Sequence, residues 1–158
     1  MGLDMYLETA WDGVDDDGPF TCYDYALEWG KANQIHGWFV RNVCNGECEN
    51  GVWYDVSRTQ LASLGAVCKE IGESETVLVD DFRDGVADGE YVSVPVKREA
   101  LADTSLAERL LPVMSGYWFG SQSYDWLYLW EVRRTARVIE ELLDETPPDV
   151  YFSYMASW

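Results

Sequence analysis

Apolar and polar residues alternate loosely along LDMYLETAW, residues 3–11, and the segment is rich in β-formers, which predicts a first strand. DGVDDDGPF, residues 12–20, interrupts the alternation with two Gly, one Pro and an acidic run, and reads as a surface loop. The period then changes. Ala32, Ile35, Phe39 and Val43 recur at spacings of three and four, which predicts a helix over 24–43 with Asp24 as its cap. The two Asn-Gly steps of CNGECENG end it. VWYDV reads as a short strand, and Ser57 is placed to cap a second helix over 58–71 with Leu61, Leu64, Val67 and Cys68 inward.

ETVLVDDF and EYVSVPV read as two strands, and RDGVADG between them carries hairpin turn chemistry. Residues 98–111 read as a helix stopping before Pro112, and SGYWFGSQS as a strand or a structured loop. A long helix is expected over 124–145, with Tyr128, Val132, Ala136, Ile139 and Leu143 on its apolar face. TPPD ends that helix, and VYFSYMASW reads as a last strand. The sum is a single α+β domain over residues 1–158: a small sheet in which the first and last strands pair, packed with about four helices.

Charge changes this picture most. The 158 residues hold 29 acidic side chains against 11 basic ones, a net charge of −18. Phosphate binding is driven by Lys and Arg, so the balance argues against direct contact with nucleic acid and for attraction to a basic surface. The acids cluster. Residues 1–28 carry eight with no Lys or Arg, and residues 70–90 carry eight against Arg83 alone. Asp12, Asp15, Asp16 and Asp17 from the first block, with Glu73, Glu75, Asp80, Asp81 and Asp84 from the second, form the candidate partner-binding patch.

No run approaches the roughly 18 apolar residues of a membrane span. The opening MGLDMYLETAW lacks the basic and apolar regions of a secretory signal, so a cytoplasmic protein is expected. Cys22, Cys44, Cys48 and Cys68 are then expected as four reduced thiols. Only Cys44 and Cys48 form a compact pair, short of the two pairs usual in structural zinc sites, so neither metal nor cofactor is expected.

Three constellations are candidates for chemistry. His36, the chain's one histidine, lies near Lys31 and Asn33, but no local acid is positioned to orient its ring, which favours a hydrogen-bonded structural histidine over a catalytic one. SGYWFGSQSYDW, residues 115–126, places Ser121, Tyr124 and Asp125 where a long helix begins; they could serve a ligand, with Tyr117, Trp118 and Phe119 to stack on it, or simply cap the helix and fill the core. Trp126, Trp130, Arg133, Arg134 and Arg137 share one flank of the long helix, with Glu141 available to Arg137, and either grip an anion or pair internally.

MGLDMYL, KANQIHGWFV, LLPVMSGYWFGSQSYDW and the closing YMASW together resemble a family of short bacteriophage and prophage proteins, over about two-thirds of the chain. Asp4, Lys31, Asn33, His36, Ser121, Tyr124 and Asp125 fall at matching places. Where that family reads Tyr-Trp-Arg-Lys-Ala-Asn, this chain has Gly30 for the arginine. The resemblance implies a phage or prophage setting, in an infected or lysogenic bacterial host, and no particular reaction.

The leading expectation is therefore an acidic accessory protein acting by protein–protein binding. Its sharpest form is a DNA-mimic inhibitor of a host nucleic-acid-binding or defence complex of the CRISPR type. The alternative is a small-molecule, nucleotide-like binder or enzyme using Lys31, Asn33 and His36 with Tyr124 and Asp125. The third is a minor virion protein.

Overall fold

The computed structural model describes residues 2–116 and 118–158. β1 (Asp4–Asp15) and β2 (Gly18–Gly30) form a long antiparallel hairpin. Its turn is Asp16-Asp17, where the Asp17 N–H donates to Asp15 Oδ1 at 2.9 Å and Gly18 follows at φ 120°. On the other side of β1 lies β6 (Tyr151–Ser157), antiparallel, with Asp4 opposite Ser157. β3 (Tyr54–Val56) pairs with β6, giving the order β2-β1-β6-β3. The expected pairing of first and last strands is present.

Alternation gives this sheet one buried face. Met5 and Leu7 face inward beside Leu27 and Trp29 of β2 and Tyr154 and Ala156 of β6. Against it pack α1 (Asn33–Asn42), α2 (Arg58–Gly72), the short α3 (Ser105–Leu110) and α4 (Trp126–Glu145). Stacking of Phe39 on Tyr154, with centroids 3.7 Å apart, joins α1 to the sheet. The Trp29 indole N–H donates to Thr135 Oγ1 at 2.8 Å and so ties β2 to α4. α2 and α4 touch at Gly65, where a Cβ would come within 2.9 Å of Ile139. Arg58 closes the far end of α4 by donating to the carbonyls of Leu143, Thr146 and Pro147 at 2.7–2.9 Å.

The second acidic block folds differently from the first. β4 (Thr76–Ala87) and β5 (Glu90–Leu101) make a two-stranded ribbon separate from the main sheet. Asp88 and Gly89 turn it with φ of 54° and 83°, the positive pair that a two-residue hairpin turn requires.

Several expectations are corrected. Residues 12–20 are the end of a hairpin, because the acids sit at a tight turn inside a continuous ladder. The helix expected over 24–43 begins only at Asn33; its first third is β2, and Asp24 pairs with Thr9 instead of capping. The period of Ala32, Ile35 and Phe39 is real but does not extend back into TCYDYALEWG, whose aromatic and β-branched residues satisfy a ladder. Residues 98–101 complete β5, so the helix expected over 98–111 shrinks to Ser105–Leu110. The long helix starts at Trp126, two residues later than expected.

Candidate functional site

Asn33 organises the ground around the first candidate. Its side chain donates to Phe119 O at 3.1 Å and Ser121 O at 2.7 Å, and accepts from Met114 N–H at 2.9 Å. These bonds hold the segment 114–121 against the start of α1. Backbone contact is close there: a Cβ on Gly120, itself at φ +94°, would lie 2.8 Å from Lys31 O. Lys31 takes φ 58° at the junction of β2 and α1, and its N–H donates to Leu3 O at 2.6 Å.

Asp125 caps α4 by accepting from the N–H groups of Leu127 and Tyr128 at 3.0 and 3.1 Å. Ser121 Oγ donates to the other Asp125 oxygen at 3.3 Å. Lys31, Ser121 and Asp125 thereby line one cleft of about 140 Å³, with Gln34, Ser123 and Glu131. Tyr124 does not line it: its hydroxyl accepts from Val113 N–H at 3.2 Å, and its ring packs on Tyr128. Asn33, its amide committed to three backbone partners, and His36 are both buried and do not line the cleft. Tyr117 of the aromatic block lies outside the described residues.

His36 is a core residue. Nδ1 lies 2.8 Å from the Tyr154 hydroxyl, and the ring meets the edges of Phe119 and Trp158 at centroid distances of 5.4 Å. Burial lowers its pKa to about 4, so the ring is neutral near pH 7. At 2% exposure it has no open path to a ligand.

Glu131 is the cleft residue that sequence reasoning missed. It is buried at 8% exposure, and desolvation raises its carboxyl pKa despite Arg134 at 3.3 Å. The i,i+3 spacing of Glu131 and Arg134 was the available signal, but it looks like any solvated helix pair.

Cys44 and Cys48 form a disulfide with their Cα atoms 5.1 Å apart, which corrects the expectation of four thiols. The cause is local: Asn45 and Gly46, at φ 56° and 102°, fold the chain back so that the two Cβ atoms meet. Cys22 and Cys68 are free. Among the described residues no group of three or more His, Cys, Asp or Glu is placed to hold a metal ion.

The acidic patch divides between two hairpins. Asp12, Asp15, Asp16 and Asp17 are exposed around the β1–β2 turn, where Thr21 donates to Asp12 at 2.8 Å. Glu73 and Glu75 are exposed between α2 and β4, and Asp84 is exposed on β4. Asp80 pairs with Lys97 and Asp81 with Arg98, so the second hairpin is partly neutralised from within.

The basic flank of α4 is also partly paired. Arg133 bonds Glu99 at 2.5 Å, and Arg98 of β5 lies 3.9 Å over the Trp126 ring. The expected Arg137–Glu141 pair is not among the ion pairs of the described residues. No helix of the described residues is long and apolar enough to cross a membrane. Neither protein-family models, nor curated proteins, nor solved structures give a significant match to this chain.

Proposed function

We propose that this chain acts by protein–protein binding and presents its acidic hairpins to a basic surface of a partner. The observation that carries the reading is where the acids sit. The outer half of the β1–β2 hairpin contributes nothing to the core, and its carboxylates stand in solvent beside exposed Val14, Phe20, Tyr23 and Tyr25. Acids that only solubilise need no apolar neighbours, whereas a recognition surface combines charge for steering with aromatic anchors for affinity. The β4–β5 ribbon repeats the combination, with Glu75, Asp80 and Asp84 near exposed Leu78, Phe82 and Tyr91. Because the β1–β2 turn carries no cation, it is the primary contact and the ribbon the secondary one.

In the phage or prophage setting implied by the sequence resemblance, the partner is a nucleic-acid-binding or defence complex of the bacterial host. Carboxylates on a stiff hairpin there occupy positions that backbone phosphates would take. The test is capture of host proteins after nuclease treatment, with the native chain and an Asp15→Asn/Asp16→Asn/Asp17→Asn variant. A basic partner held only by the native chain, released by salt and by duplex DNA, supports the proposal. Equal retention by both baits, or indifference to salt, refutes it.

A second reading rests on the cleft formed by Lys31, Ser121, Asp125 and Glu131, which brings charges of both signs together. At about 140 Å³ it suits an ion or a very small polar molecule. Loss of function in Lys31→Ala with the fold intact is the observation that would favour it.

A further inference from the structure

Five of the eleven Lys and Arg side chains of this acidic protein converge on one cleft. α4 supplies Arg133, Arg134 and Arg137 from a single flank, and β5 supplies Lys97 and Arg98 across from them. Trp126 and Trp130 form the wall between, and the cleft encloses about 430 Å³. In a chain of net charge −18, such a concentration runs against the general composition.

The cleft is organised before any ligand arrives. Arg98 is held by Asp81 at 2.6 Å and by the Trp126 ring beneath it. Arg133 Nε donates to Gly72 O at 2.9 Å, which fixes the guanidinium plane. Arg134 donates to Glu28 O at 2.8 Å and lies 5.6 Å from the Trp130 ring centroid. Preorganised guanidinium groups suit bidentate binding of phosphate better than a lysine cluster does.

Two features leave room for a guest. Arg137 is exposed and has no ion pair among the described residues. The Lys97–Asp80 and Arg133–Glu99 pairs are about half exposed or more, and pairs in that setting are weakly held and exchange readily for a stronger anion. Trp130 is 51% exposed, a large aromatic surface left beside the cations.

We propose that this cleft binds a nucleoside monophosphate, with Arg133 and Arg137 on the phosphate and Trp130 against the base. A bare anion would leave the indole unused. A polynucleotide would need cations tracking its backbone beyond the cleft, against a strongly negative chain. The volume falls within the range of small-ligand sites and is about three times that of the Lys31–Asp125 cleft. Because Lys97 and Arg98 stand at the base of the acidic ribbon, a bound nucleotide also ties that ribbon to α4.

The test is isothermal titration calorimetry of the full chain at low salt with adenosine 5′-monophosphate, adenosine and inorganic phosphate. Stacking tolerates any base, so one purine probe decides. Saturable binding of the nucleotide is expected, about tenfold or more tighter than either component, and weakened about tenfold by Arg137→Glu. Trp130→Leu weakens the nucleotide several-fold and leaves phosphate unchanged, while Lys31→Ala changes neither. Both Arg137 and Trp130 are exposed, so circular dichroism of the variants should match the native chain. No saturable heat, an unchanged affinity in Arg137→Glu, or phosphate binding as tightly as the nucleotide overturns the proposal.

Discussion

Nδ1 of His36 on α1 lies 2.8 Å from the hydroxyl of Tyr154 on β6, in the buried centre of the protein and 118 residues away along the chain. Removing the ring from water favours its neutral form, so folding lowers the pKa from 6.5 to about 4. The unfolded chain binds a proton that the folded chain refuses across that interval. Stability contributed by the neutral ring is complete above pH 6.5 and is lost as pH falls toward 4. The full loss is about 3 kcal/mol. As His36 is the one histidine, its imidazole NMR resonance reports the titration without ambiguity. Titration near pH 6.5 in the native state would contradict the burial argument. Unfolding by urea at pH 7 and pH 4.5 should show the stability difference, and His36→Gln should flatten it.

Asn33 holds three backbone groups of the 114–121 segment at once. Asn33→Ala leaves them unpaired in a part-buried setting, at a cost of about 3 kcal/mol. Asn33→Asp keeps the acceptor for Met114 N–H but turns a carboxylate toward two carbonyls, and is expected to be no better. Thermal unfolding of both variants checks this. Hydrogen exchange should also rise at Met114 more than in α2, which separates release of the segment from general loosening.

The disulfide makes a prediction about thiols. Under non-reducing denaturation two thiols react, from Cys22 and Cys68; in the native state Cys22 reacts alone, because Cys68 is buried and burial pushes its thiol pKa up. Four reactive thiols after unreduced denaturation would exclude the bridge. Cys44→Ser/Cys48→Ser should lower stability by about 2 kcal/mol, the closure entropy of so short a loop.

Much of the fold was legible where the decisive interaction is local. Ser57 and Gln60 form the reciprocal cap that opens α2, and Asp125 caps α4, because each needs only neighbours three residues away. DGVADG announced a hairpin turn for the same reason, but of its two Asp-Gly steps only Asp88-Gly89 makes it, while Asp84-Gly85 stays in the β4 ladder. β2 was hidden because Asp24 offers a cap ahead of the Ala32, Ile35 and Phe39 spacing, and only pairing with β1 selects the strand. Charge hid the β1–β2 turn: three consecutive Asp read as a solvated loop, yet Asp15 faces Gly18 across a tight ladder. Compartment favours free thiols, whereas the bridge closes where Asn45 and Gly46 take positive φ. At the candidate sites, Lys31 and Asp125 line one cleft because Asn33 clasps a segment more than 80 residues away, a contact that leaves no trace in spacing.

The β4–β5 ribbon offers the last test, since it separates folding from recognition. Between Asp81 and Val96, which face each other across the ladder, no residue is buried. Deleting residues 82–95 and joining Asp81 to Val96 through an Asn-Gly turn keeps the Asp81–Arg98 pair and the stacking on Trp126. The removed cross-strand pairs lie in solvent and their gain is offset by the entropy of ordering the deleted residues, so stability should fall by no more than about 1 kcal/mol. The same deletion removes Asp84, Asp88 and Glu90 with the exposed Phe82, Val86 and Tyr91. If the ribbon is the secondary contact, the shortened chain unfolds at nearly the native temperature, holds its partner more weakly, and still responds to neutralisation of Asp15–Asp17. Unchanged partner affinity would confine recognition to the β1–β2 hairpin, and a collapse of stability would make the ribbon a structural element.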